Sequence, residues 1–209
     1  LPGDELKELP CKLFGEPLEL SFGGQLRHRY ADERNRLPFS GPGQTTYSLW
    51  RWRNYLDARG DIVRIYIEGI DADIFDEDLP ATATDRNRWD LLNAFVDLNL
   101  YGADAGAGVF RYGRQELLYG AQRLVSPLDW SNTRRNFEGF KFFHEGQDWR
   151  VDLFSVHPVN AAAESRRFQQ FDARADRADR LIRFSGLYAS YSGVTDAVVE
   201  PYYFYLDDD

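Results

Sequence analysis

From Pro17 onward the chain repeats one device: segments in which apolar and polar side chains alternate with a period of two, the signature of a strand with one dry and one wet face. In Pro17–Tyr30, Leu18, Leu20, Phe22, Gly24 and Leu26 fall on one side, and Glu19, Ser21, Gly23, Gln25, Arg27 and Arg29 on the other. Thr45–Ala58 sets Trp50 and Trp52 against Arg51 and Arg53, and Ile62–Ile70 sets Val63, Ile65 and Ile67 against Arg64, Tyr66 and Glu68. The pattern continues through Arg88–Tyr101, Val109–Glu116, Phe137–Glu145, Asp148–His157, Arg180–Tyr191 and Asp196–Leu206, so nine strands are predicted. Leu1–Gly15 has no sustained period and reads as a periplasmic lead-in to a single all-β body over residues 16–209.

The connections alternate in length. Long ones fall near Ala31–Gln44, Asp71–Asn87, Leu117–Asn136 and Val159–Asp179, and short ones near Arg59–Asp61, Gly102–Gly106, Glu145–Asp148 and Ser192–Thr195. A soluble antiparallel sheet has no reason to sort its loops this way. A transmembrane β-barrel does, with short periplasmic turns at one rim and long extracellular loops at the other. The expected fold is therefore all-β, an antiparallel up-and-down transmembrane β-barrel. The chain lacks the ~18 consecutive apolar residues of a membrane-spanning helix, but a barrel strand needs only ~9–11 residues. Nine strands do not suit a bacterial barrel, whose strand count is even, and the ninth ends on the long-loop side. The residues read as the N-terminal half of a barrel of roughly 18 strands.

Alternation alone permits a rival, a soluble carbohydrate-binding β-sandwich in which the apolar face is the core and Trp50, Trp52 and Trp130 stack on sugars. In a barrel the same face meets lipid and the polar face lines a watery lumen. Aromatic residues near strand ends, among them Tyr47, Tyr55, Trp89, Tyr101, Trp149 and Tyr202–Tyr205, suit headgroup depth and favour the barrel. Of the 25 basic residues only Lys7, Lys12 and Lys141 are lysines, so 22 are arginines. A solvated sandwich face mixes in Lys, whereas rings of guanidinium groups in a pore select anions.

The net charge of −9 argues against a nucleic-acid partner, which needs a basic footprint. Cys11 is the single cysteine, so no internal disulfide forms. The chain opens at Leu1 without a charged-then-apolar leader, so export is argued from the barrel pattern alone. His28, His144 and His157 have no metal-ligand spacing and no Gly-x-Ser-x-Gly element accompanies them, so neither an enzyme nor a metal or cofactor is expected.

Residues 109–140 read VFRYGRQELLYGAQRLVSPLDWSNTRRNFEGF. The elements Gly113-Arg114-Gln115-Glu116, Gly120-Ala121-Gln122-Arg123-Leu124-Val125, Asp129-Trp130 and Arg135-Asn136-Phe137-Glu138-Gly139, in that order, resemble the alginate-export family of outer-membrane β-barrels. Leu20–Arg27 is similar to that family's opening strand; Ala121 departs from it, standing where many members carry Asp. The resemblance implies a bacterial outer-membrane conduit about twice this length, porin-like, with an Arg-rich lumen for an anionic uronate polysaccharide such as alginate. Its partners would be that polysaccharide, outer-membrane lipid and periplasmic export proteins.

On this reading the pore-lining residues are Arg27, Arg29, Arg51, Arg53, Arg64, Arg111, Arg114, Arg123, Asp129, Arg134, Arg135, Arg150, Asp152 and Arg183. Many modest cationic contacts in series attract a polyanion without trapping it. Carboxylates such as Glu68, Asp97, Glu116, Glu138 and Asp152 would hold the arginines in place. The third long connection, broken by Gly120 and Pro127, is expected to fold inward as a constriction with Asp129 pairing an arginine.

Overall fold

A computed structural model describes residues 9–13, 16–35, 44–78, 81–103, 106–159 and 176–208. They form eleven strands and, among the described residues, no helix: β1 (Leu9–Leu13), β2 (Glu16–Arg34), β3 (Gln44–Arg59), β4 (Val63–Phe75), β5 (Asn87–Ala103), β6 (Gly106–Gln115), β7 (Phe137–Glu145), β8 (Trp149–Pro158), β9 (Ile182–Val194), β10 (Ala197–Val199) and β11 (Tyr202–Asp208). Each pairs antiparallel with its sequence neighbour in one sheet, except that β10 and β11 lie in succession along β9. The sheet is open, a partial up-and-down barrel.

Two strands exceed the predicted nine. The first is β1, five residues paired with the start of β2 through Leu13↔Glu16, so the segment read as a lead-in contains a strand. The second arises at the predicted strand Asp196–Leu206, where β10 and β11 divide at Glu200-Pro201. Proline lacks an N–H to donate to a ladder, and the register to β9 has already shifted between Ala197 and Val199. Residues 36–43 and 160–175, parts of the first and fourth long connections, lie outside the described residues.

Register fixes what each face presents. One row runs Ala58, Ile65, Val96, Tyr112, Phe140 and Ser155 across β3 to β8; the next runs Val63, Leu98, Phe110, Phe142, Leu153 and Leu187 across β4 to β9. None of these side chains is buried, and most are open: Leu153 is 53% exposed, and Leu26 on the same face 69%. The intervening rows bury charge, with Arg51 at 1% and Asp57 at 2%. The sandwich alternative fails on this point. It needs a second sheet over the apolar face, whereas the described residues make one sheet that leaves that face open and covers the charged one. This is the polarity of a barrel wall.

Glycine admits two close approaches within the wall. Gly113, in mid-strand with φ +133°, would drive a Cβ into the Ala94 carbonyl of β5. Gly23 lies beneath the Tyr55 ring, which occupies the space a side chain would fill.

Candidate functional site

The charged face is organised as a transverse ladder because register brings Arg64, Asp97, Arg111 and Lys141 side by side on β4 to β7. Arg64 donates to both oxygens of Asp57 at 2.8 Å, and Arg59 adds a third bond at 2.9 Å. Arg111 grips Asp97 through Nε and Nη2 at 2.6 and 2.8 Å, the two-pronged geometry that a planar guanidinium permits. Its guanidinium also lies 3.6 Å from the centre of the Phe95 ring, which stacks on Tyr66, which stacks on Tyr55. Asp152, with no exposed surface, takes Arg150 Nε at 3.0 Å and Lys141 Nζ at 3.4 Å, and accepts from the Tyr119 hydroxyl at 3.1 Å.

Residues 116–136 lie against this inner face. Three arginines of β2 and β3 reach up to their main chain. Arg27 donates to the carbonyls of Asp129 (3.0 Å) and Ser131, Arg29 to Trp130 (2.8 Å), and Arg51 to Ser131 (3.2 Å). Within the connection Arg134 joins Asp129 to Glu116, the latter through Nη2 at 3.0 Å. Asp129 also lies 3.5 Å from Arg51. Burial works against the Arg134 charge, but its hydrogen bonds to Glu116 and the fields of Glu116 and Asp129 outweigh that, holding its pKa above the ordinary value. Arg53 pairs with Glu68 at 2.7 Å nearby. Five guanidiniums (Arg27, Arg29, Arg51, Arg53, Arg134) thus share one end of the inner face with the carboxylates of Glu68, Glu116 and Asp129.

Two anchors hold the connection. At one, the buried triplet Ser131-Asn132-Thr133 docks on the second long connection: Ser131 Oγ donates to Thr84 O and Thr133 Oγ1 to Ala83 O, both at 2.8 Å. Asn132 Nδ2 reaches Asp85 O (2.8 Å), Trp50 O (3.0 Å) and Asp73 O (3.1 Å). At the other, Leu117, Tyr119 and Val125 form an apolar cluster with Phe137, Phe154, Val156 and Tyr188, against which Phe184 and Phe204 pack. Burial, and then the Asp152 charge beside it, push the Tyr119 phenol well above its usual range.

The predicted pore residues therefore divide. Arg27, Arg29, Arg51, Arg53, Arg64, Arg111, Arg150 and Asp152 share the inner face; Asp129 and Arg134 belong to the connection lying on it, where Arg123 and Arg135 are exposed. Two stand elsewhere. Arg183 falls on the opposite face with Leu187, because in β9 the inward residues are the apolar Phe184 and Tyr188 that pack on the connection. Arg114 is in register with Ala94 and Glu138, on the face of Tyr112 and Phe140, and is covered by Asp176, whose carbonyl it bonds. Sequence reasoning missed the Ser131–Thr133 anchor, Lys141 and the Tyr119 hydroxyl. Only the enclosure of a polar triplet between Trp130 and Arg134 hinted at the first.

Neither a curated protein nor a solved structure matches this chain. A family model described as alginate export matches residues 18–209, nearly the whole length. The described residues form one open antiparallel sheet whose apolar face is bare, consistent with part of a barrel wall, and the chain belongs to the alginate export family.

Proposed function

We propose that this chain forms part of the wall of a bacterial outer-membrane conduit through which an anionic, uronate-bearing polysaccharide moves passively. The apolar rows contact outer-membrane lipid and the ladder face lines the lumen. The observation that carries the reading is the excess of guanidinium over carboxylate where residues 116–136 meet β2 and β3. Arg27 and Arg29 bond main-chain carbonyls and form no ion pair with a carboxylate among the described residues, Asp129 acting on Arg27 only through its field, so their charge is not neutralised by direct pairing and can attract a passing carboxylate. The same segment acts as the constriction, held by main-chain bonds from Arg27, Arg29 and Arg51. Downstream, the ladder is nearly neutralised pair by pair, which spaces the attraction and allows release.

Reversal potentials of the protein in planar bilayers under a salt gradient test this. Arg27→Gln with Arg29→Gln is expected to reduce an anion preference that the unaltered protein displays. An unchanged preference would remove these arginines from the lumen.

A further inference from the structure

We infer that the groove between residues 119–125 and the strands β9 and β11 is a sugar-ring subsite that takes one uronate residue, its ring on the open face of Tyr202, which Phe204 backs, and its carboxylate toward Arg123. The inference rests on the conduit reading and adds a contact of a different kind from the guanidinium cluster.

The groove has a volume of about 360 Å³ and is lined by Tyr119, Arg123, Tyr188, Glu200, Tyr202 and Phe204, with Ala121 and Leu124 at its mouth. That volume lies within the ~300–1,000 Å³ of ordinary small-ligand sites. Its floor is rigid. Tyr119 stacks on Tyr188 with centroids 4.6 Å apart, Tyr202 stacks on Phe204 at 4.8 Å, and Phe204 meets Tyr119 at 6.0 Å. Gly186 permits this, since a Cβ there would strike the Phe204 and Phe154 rings. The Tyr188 hydroxyl is fixed, accepting from Gly120 N at 3.1 Å and donating to Glu200.

Register places Tyr202 and Phe204 inward, opposite Tyr188 and Gly186, so the platform faces the same side as the charge ladder. Yet Tyr202 remains 55% exposed. An aromatic face that is open to water, rigid and partly apolar suits a pyranose, whose C–H-bearing face meets the electron-rich ring while its hydroxyls stay hydrated. Arg123 is exposed at the mouth and, among the described residues, has no carboxylate partner, which favours a charged sugar over a neutral one. Glu200 has a second oxygen to accept from ring hydroxyls.

Calorimetric titration of the detergent-solubilised protein with alginate oligosaccharides, and separately with neutral manno-oligosaccharides of equal length, tests the subsite. Tyr202→Ala is expected to weaken both sugars by roughly three- to tenfold. Arg123→Gln is expected to weaken only the uronate, bringing it down to the neutral sugar. Both side chains are exposed, and retained heat-modifiable mobility on gels certifies folding of the variants. If the unaltered protein binds the uronate and both folded variants bind it equally well, the subsite is wrong and the conduit reading stands. If the unaltered protein binds no uronate, both fail.

Discussion

Replacing Asp152 by Asn removes a charge from a carboxylate with no exposed surface, on which β7, β8 and the in-folded connection all converge. Its partners are Lys141 at 3.4 Å, Arg150 at 3.0 Å and the Tyr119 hydroxyl at 3.1 Å. Deleting one member of a buried ion pair costs about 3–5 kcal/mol because the other charge is left enclosed without compensation. Lys141, only 7% exposed and lying near Arg111 and Arg150, is such a charge. Arg150 is 45% exposed and keeps Glu145 at 2.7 Å, so its share is small. The loss should therefore fall near the lower bound, about 3 kcal/mol, or roughly a hundredfold in the folded-to-unfolded ratio. Urea unfolding in detergent or lipid vesicles, followed by Trp fluorescence, reads this. The paired change Asp152→Leu with Lys141→Met removes both charges and should recover most of the loss, since Arg111 retains Asp97. A single variant within 0.5 kcal/mol of the unaltered protein, or a pair worse than the single, would refute the reasoning.

Leu153→Arg places a cation in the exposed apolar row and should cost about 2–4 kcal/mol on folding into vesicles; a neutral outcome would mean that row does not meet lipid. Asn132→Ala leaves the carbonyls of Trp50, Asp73 and Asp85 without their donor, and about 1–3 kcal/mol is expected together with faster proteolysis within residues 116–136; an unchanged cleavage rate would show that the anchor does not hold the connection. Tyr119→Phe should matter less as pH rises. The folded phenol titrates above its unfolded value of about 10, so its contribution is fully present below pH 10 and is lost above it. The stability gap between Tyr119→Phe and the unaltered protein, measured by urea unfolding, should thus narrow from pH 8 to pH 11, and a constant gap would contradict the shift.

The strands were legible because a barrel wall imposes period two on every residue it contains. Phe137–Glu145 is found at its predicted bounds, and Thr45–Ala58 grows by one residue at each end into β3. β1 escaped because five residues containing Pro10 carry too little alternation; only the start of β2 as a template makes them a strand. The face of each strand was legible where the rule of apolar outward and polar inward held, as for Arg64 and Arg111. It failed at Arg183 because part of the inner surface is not watery: Leu117, Tyr119 and Val125 turn Phe154, Phe184 and Tyr188 into a small apolar core. It failed at Arg114 because Asp176 covers the outer face there. Both exceptions depend on where a long connection lies, and period two carries no information about that. The Arg27, Arg29 and Arg51 bonds to carbonyls of Asp129, Trp130 and Ser131 span 102, 101 and 80 residues of sequence, and were equally invisible.

The measurement that reaches the central claim most directly is single-channel recording of the protein in a planar bilayer, with ion selectivity determined first and alginate oligosaccharides then added. The account predicts an anion-selective current that the oligosaccharides interrupt, and that neutral oligosaccharides of equal length interrupt less. A cation-selective current indifferent to the oligosaccharides, or a folded protein that stays soluble without detergent and opens no channel, would contradict it.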